Sequence, residues 1–285
     1  MNFSLILSQL ENYHGGGGSA NHGFDGPIEI STGTHVCTKV RDNILRVANE
    51  QGLYEKADLQ SMQPDAPGHG SSKALRYVSR DGIRQDAATC YLHPRLEDGK
   101  HPNLHVLVES EVSRVLLEGD TTAGLRATGV ECQSNAITDT GGHGSPRMVR
   151  AKKLVVLSAG AFGSASILER SGVGASDVLK KAGVPVAQDL PGVGSNYMDH
   201  TIAICAYNTD LGPEDTMDAV ARADLAELVQ QNSPLVGSNW QDVNVRSRPS
   251  PAEIRYLGSE FEELWRHEYA DRVDKPLGWM SMVSG

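Results

Sequence analysis

The sequence predicts an α/β fold, on three observations. Lys152-Lys153 leads into Leu154-Val155-Val156-Leu157-Ser158, a continuous apolar run suited to a strand buried on both faces of a parallel sheet. Ala159-Gly160-Ala161 then turns the chain into a helical pattern over residues 162–170, with Ile167 and Leu168 on its buried side. Thirty glycines against 5% aromatic residues describe a loop-rich chain rather than a helical bundle. At 285 residues the chain makes one large domain or two ordinary ones and needs no covalent staples to bury a core.

In chain order, residues 1–21 read as a flexible lead, with a glycine-rich spacer at Gly15-Gly16-Gly17-Gly18-Ser19. The spacer matches Gly-x-Gly-x-x-Ala formally, but no strand precedes it and no helix follows, so it is not a dinucleotide fingerprint. Residues 36–51 repeat Val40, Ile44, Val47 and Ala48 at helical spacing and end at Gly52. Leu75, Tyr77 and Ser79 alternate as a strand, closed by an Asp81-Gly82 turn. Asp86 is placed to cap a short helix over 87–92 that Pro94 ends. Strands are expected at 104–108, at 112–117 and around 128–132, followed by an exposed loop over 133–147.

Beyond the helix at 162–170, Ser176 is expected to cap a second helix over 177–182, with Gly183 as its stop. Residues 219–230 read as helix within an acidic stretch. Ser250-Pro251-Ala252-Glu253 has the spacing of a capping box, opening a helix to residue 269 that buries Ile254, Leu257, Phe261 and Leu264. Residues 277–283 form an apolar strand pattern.

Charge and motifs exclude several function classes. A net charge of −10, from 36 acidic and 26 basic residues, disfavours nucleic acid or an anionic membrane as the partner. No apolar run approaches the ~20 residues that span a bilayer, and the N-terminus lacks the basic region of a signal peptide. Cys37, Cys90, Cys132 and Cys205 include no Cys-x-x-Cys pair and read as free buried thiols. His101 and His105 are four apart, but Pro102 denies them a helical face, so no metal site is expected. His200, after Asp199, reads as a structural histidine. The hydrolase elbow, zincin and P-loop motifs do not occur. What remains is the 158–160 crossover. A helix start after a strand offers free N–H groups to an anion, and its small residues either admit a ligand or permit tight packing.

Residues 160–174, Gly160-Ala161-Phe162-Gly163-Ser164-Ala165-Ser166-Ile167-Leu168-Glu169-Arg170-Ser171-Gly172-Val173-Gly174, strongly resemble the second signature of the glucose–methanol–choline (GMC) oxidoreductases, departing at Ala165, where Pro or Ser is usual. Leu190-Pro191-Gly192-Val193-Gly194-Ser195-Asn196-Tyr197-Met198-Asp199-His200 is similar to the turn that follows it in that family. Arg84-Gln85-Asp86-Ala87-Ala88-Thr89-Cys90-Tyr91-Leu92 resembles an earlier family segment. His22-Gly23-Phe24-Asp25-Gly26-Pro27-Ile28, the run from Arg248 to Glu253, and Asp274-Lys275-Pro276 are similar to the alcohol (methanol) oxidase branch.

The resemblance implies part of an FAD-binding fold interleaved with a substrate domain, incomplete at both ends. Residues 22–95 would be mixed, 96–205 a portion of the FAD-binding domain, and 206–285 part of the substrate domain. Val112 is similar to the valine whose backbone meets the adenine, and Ser158, Ala159 and Gly160 fall where the strand end passes the adenosine and phosphates. The implied reaction passes hydride from an alcohol carbon to the flavin, with O₂ reduced to H₂O₂. The family's opening Gly-x-Gly-x-x-Gly strand–turn and its C-terminal catalytic histidine have no counterpart here, so no catalytic residue is assigned. Weak FAD binding and an inactive isolated chain are expected, the alternative being a non-enzymatic remnant or a partner-dependent nucleotide-binding module. A small alcohol substrate, a homo-oligomer and an intracellular location, cytoplasmic or peroxisomal, complete the expectation.

Overall fold

A computed structural model describes residues 8–15, 22–59, 68–119, 124–135 and 145–284. In chain order the strands are β1 (Glu11–Tyr13), β2 (Ile28–Ile30), β3 (Gly70–Lys73), β4 (Ser110–Glu118), β5 (Arg126–Ser134), β6 (Arg147–Arg150), β7 (Val173–Gly174), β8 (Gln188–Asp189), β9 (Val243–Ser247) and β10 (Gly278–Ser281). The helices are α1 (Thr38–Glu50), α2 (His93–Glu97), α3 (Gly160–Arg170), α4 (Ser176–Lys181), α5 (Asp218–Ala221), α6 (Leu225–Gln230), α7 (Pro251–Tyr256) and α8 (Ser259–Glu268). The chain divides into two compact units, Met1–Leu104 with Tyr207–Gly285, and His105–Ala206.

In the first unit β9 lies between β10 and β3, antiparallel to both. Alternation along β9 sends Val243 and Val245 into a core with Leu45 of α1, against which Ile44 and Leu53 pack. Asn244 and Arg246 consequently point to the opposite face. β1 pairs in parallel with β2, with Glu11 and Tyr13 buried. This corrects the expectation of a flexible lead for residues 11–13; the glycine-rich spacer at 16–18 lies outside the described residues.

Several local expectations in this unit are revised. Residues 75–79 form isolated bridges, Arg76 with Ser31 and Val78 with Arg84, instead of a strand; the ladder sits earlier, in β3. The Asp86 carboxylate accepts the Thr89 N–H at 2.8 Å, as a cap would, but Ala88–Leu92 is a π-helical turn. Pro94 does not end a helix: it stands in the first turn of α2, where its missing N–H costs nothing. The 219–230 helix is broken into α5 and α6 by Asp224, whose side chain caps Ala226 and Glu227. The capping box forms, with Ser250 N–H donating to Glu253 Oε2 at 2.7 Å. Its helix stops at Gly258, whose φ of +94° leaves the helical region, so α8 starts anew and Leu257 and Leu264 are exposed.

In the second unit β4, β5 and β6 form an antiparallel sheet with a bulge between Val112 and Arg114. α3 is tied to β4 at its C-terminal end. Val115 N–H donates to Ser171 Oγ at 2.8 Å, and Arg170 Nε donates to the Ser113 carbonyl at 2.7 Å. Ile167 is buried and Leu168 half-buried. α4 buries Leu179, but Ser176 is its first residue rather than its cap; the Ser176 N–H is received by Asp189 Oδ1 at 2.9 Å.

The largest correction concerns residues 154–158. They belong to no strand among the described residues, and Leu154 and Val156 stand in solvent. Residues 104–108 likewise form no strand, and Val106, Leu107 and Val108 are exposed. A strand must pair its N–H and C=O groups with a neighbour before it can bury its side chains. Neither segment has one among the described residues. The four cysteines are free, with Cys37 and Cys132 buried and Cys205 exposed, against the expectation of uniformly buried thiols. Among the described residues no helix is long and apolar enough to cross a membrane.

Candidate functional site

α3 starts abruptly after residues 154–158. Its cap residue Ala159 has no side chain to receive the first-turn N–H groups, so they stay open. Ala159 N–H itself donates to Ser164 Oγ at 3.1 Å. Gly160 has φ +79°, a conformation other residues rarely adopt, and no atom lies within 4 Å of where its Cβ would be. Gly163 differs: a Cβ there would sit 3.0 Å from that of Ala159. Gly160 thus has open space beside it, while Gly163 packs against the cap residue of its own helix.

Ser158, Ala159 and Gly160 are exposed, and Val112 is half-buried in β4 opposite Cys132. All four lie in the second unit. They do not converge on one point. Val112 adjoins Ser113, which is tied to the last residue of α3, whereas Gly160 is its first residue. Val112 and Gly160 thus lie toward opposite ends of α3. An uncapped helix of eleven residues brings a partial positive charge to the Gly160 end, which favours an anion.

Beside that end the Phe162 and Tyr197 rings lie 4.9 Å apart. Tyr197 Oη donates to Asp199 Oδ2 at 2.8 Å, and Asp199 Oδ1 accepts the His200 backbone N–H at 2.8 Å. The Tyr197 hydroxyl, followed by that N–H, holds the Asp199 carboxyl below its ordinary range. The carboxylate beside His200 therefore grips its backbone instead of its ring.

The first unit holds a cluster that the sequence reading missed. His22 sits between two carboxylates, Nδ1 at 2.6 Å from Glu11 Oε2 and Nε2 at 3.0 Å from Asp58 Oδ2. Its ring stacks on Tyr13 at 3.6 Å. Burial, then the Asp58 and Glu11 charges, pushes the Tyr13 hydroxyl up to about 12. Nearby, Arg76 pairs with Asp242, whose other oxygen accepts the Cys37 N–H at 2.9 Å. No local pattern links residues 11, 22 and 58, or 76 and 242; only the fold does. His101 pairs with Asp98 at 3.1 Å on the surface, and among the described residues no His, Cys, Asp and Glu side chains gather into a metal-binding group.

Comparison with known proteins places these features in a family. The family model described as GMC oxidoreductase matches residues 9–202. Alcohol oxidase 1 of Komagataella phaffii is 30% identical over 275 residues, 93% of this chain and 39% of that protein. Human mitochondrial choline dehydrogenase is 36% identical over 184 residues, 65% of this chain and 27% of that one. A formate oxidase crystal structure shares the fold with a TM-score of 0.73 at 18% identity, covering 99% of this chain and 47% of the other. An FAD-dependent oxidoreductase from Chaetomium thermophilum does so with a TM-score of 0.68 at 22% identity, covering 89% and 44%. The chain thus spans 39% of the length of the alcohol oxidase it matches. The matched family indicates FAD as the cofactor.

Proposed function

This chain belongs to the GMC oxidoreductase family, and from that premise we propose that it carries part of the FAD site of an oxidoreductase acting on the CH–OH group of a small alcohol. Bound FAD supplies the two-electron acceptor for alcohol oxidation, and O₂ takes those electrons on to give H₂O₂. The residues of this chain position the cofactor. The open N–H groups of the first turn from Gly160 receive its anionic portion, Ala159 and Ser158 border that approach, and the Val112 backbone meets the adenine end. Gly160 is required because any side chain there would stand in the approach. No histidine of this chain is assigned as the catalytic base.

The observation that carries this reading is the uncapped, unobstructed start of α3 inside the family-matched residues. The test is an FAD titration of the purified chain with ADP as competitor. We expect weak, ADP-competed binding that does not survive gel filtration and that Gly160→Val abolishes. Binding that Gly160→Val leaves unchanged overturns the assignment of the site, and a stoichiometric flavin band after gel filtration overturns the expected weakness.

The exposed apolar segment at 154–158 favours a second reading, a nucleotide-binding module that folds fully only against a partner. Limited proteolysis separates the two. A resistant core that retains FAD supports the first, and rapid digestion of the second unit supports the second.

A further inference from the structure

The polar face of the first unit's sheet borders a cavity of about 480 Å³, within the size range of small-molecule sites. Two of its lining side chains come from β9. Asn244 is 8% exposed, and its amide makes no hydrogen bond within the described chain. Arg246, two residues on and so on the same face, has no carboxylate partner among the described residues, although the chain carries a net charge of −10. The sheet register explains why Arg246 stays unpaired. Its neighbour on β10 is Trp279 and its neighbour on β3 is Gly70, which has no side chain.

The remaining walls extend the same chemistry. Arg76 lines the cavity with its Nη atoms committed to Asp242 and to the Thr32 and Gln241 carbonyls, while its buried Nε has no partner. Glu11, the one carboxylate lining the cavity among the described residues, is already held by His22. Tyr77 and Trp279 supply flat apolar surface, and both are largely exposed. Trp240, next to the lining residues Asn239 and Gln241, has φ +59° while its ring is buried against His35. A bulky residue held there is strained, and such strain concentrates at ligand sites.

An amide on a largely buried residue and a guanidinium, both facing the cavity without a partner among the described residues, mark a place where a ligand completes the hydrogen bonding. A planar guanidinium fork matches a carboxylate with two parallel bonds. We infer that this cavity is a binding site for a small carboxylate with an aromatic or flat apolar body, its anionic group held by Arg246 and Asn244 and its body laid against Trp279. The site rests on the first unit alone and does not depend on the FAD reading.

Isothermal titration of the full chain with benzoate tests it. Benzoate is expected to bind, with benzyl alcohol and acetate each at least about tenfold weaker, since one lacks the charge and the other the ring. Arg246→Gln is expected to weaken benzoate at least about tenfold, with Arg246→Lys in between, because an ammonium keeps the charge but loses the fork. Since the Arg246 side chain makes no hydrogen bond to the described residues, Arg246→Gln should leave the thermal midpoint unchanged, which separates lost binding from lost folding. Absence of benzoate binding, equal binding of benzyl alcohol, or indifference to Arg246→Gln overturns the carboxylate site. Equal binding of acetate overturns the flat body.

Discussion

At the centre of its three-stranded sheet, β9 buries Val243 to 1% exposure and Val245 to 4%, whereas Leu154 and Val156, on a segment without strand pairing among the described residues, are 74% and 72% exposed. The more apolar run is the more exposed. β9 interrupts its valines with Asn244 and Arg246, yet it has a hydrogen-bonded neighbour on each side and α1 across one face. Residues 154–158 have four consecutive apolar side chains and no strand neighbour among the described residues. Hydrophobicity supplies the incentive to bury, roughly 1.5–3 kcal/mol for a valine or leucine side chain, but backbone pairing decides whether burial is possible.

Substitutions on the two sides of this contrast should differ sharply. The largest effect is expected at Asp242, which heads β9 and holds Arg76 and the Cys37 N–H from inside the fold. Asp242→Ala would take the only carboxylate from the Arg76 guanidinium, leaving it the Thr32 and Gln241 carbonyls, would strip the Cys37 N–H of its acceptor, and would cost about 3–5 kcal/mol, read as a lowered urea midpoint. A loss near that of a surface change would mean that Arg76 finds other company. Leu45→Ala, in the core behind β9, is expected to cost about 2–5 kcal/mol by opening a cavity.

A pH series sharpens the contrast through two tyrosines. Tyr13 is buried in the first unit and titrates at about 12, above the unfolded value of 10.0. Its hydroxyl stays protonated in the folded chain while the unfolded chain ionises. That contribution to stability is whole below pH 10 and is lost as pH rises to about 12. Tyr13→Phe should flatten the fall in thermal midpoint across that window. Tyr197→Phe, at an exposed hydroxyl raised by its bond to Asp199, should leave most of the fall in place. The smallest effect belongs to Val156→Thr, expected to change stability by no more than about 0.5 kcal/mol. A loss of about 2 kcal/mol would show that residues 154–158 are covered in solution and would break the comparison.

Legibility follows the same division. The Ser250–Glu253 capping box, α1 with its stop at Gly52, and the Asp81-Gly82 turn were readable because each depends on hydrogen bonds within a few residues. The break at Gly258 was written in the sequence and overridden by helical spacing on both sides; the glycine was the better signal. Pro94 was read as a stop, although the same residue serves a helix equally well at its start. The motif at 160–174 named the family from the sequence, and the family match over residues 9–202 agrees with it. Arg246 carried no signal at all, because an arginine in a strand has a partner or lacks one only once its neighbours are chosen.

By itself, then, the sequence determined the local turns, caps and helix starts, the family and the FAD cofactor, since these reside in contiguous residues. The tertiary structure decided which apolar run is buried, that His22 lies between Glu11 and Asp58, and that the Arg246 and Asn244 side chains face a cavity without partners among the described residues. The reason is one of range. A backbone turn is settled by neighbours a few residues away, while burial and charge pairing depend on side chains that strand register brings together from distant parts of the chain.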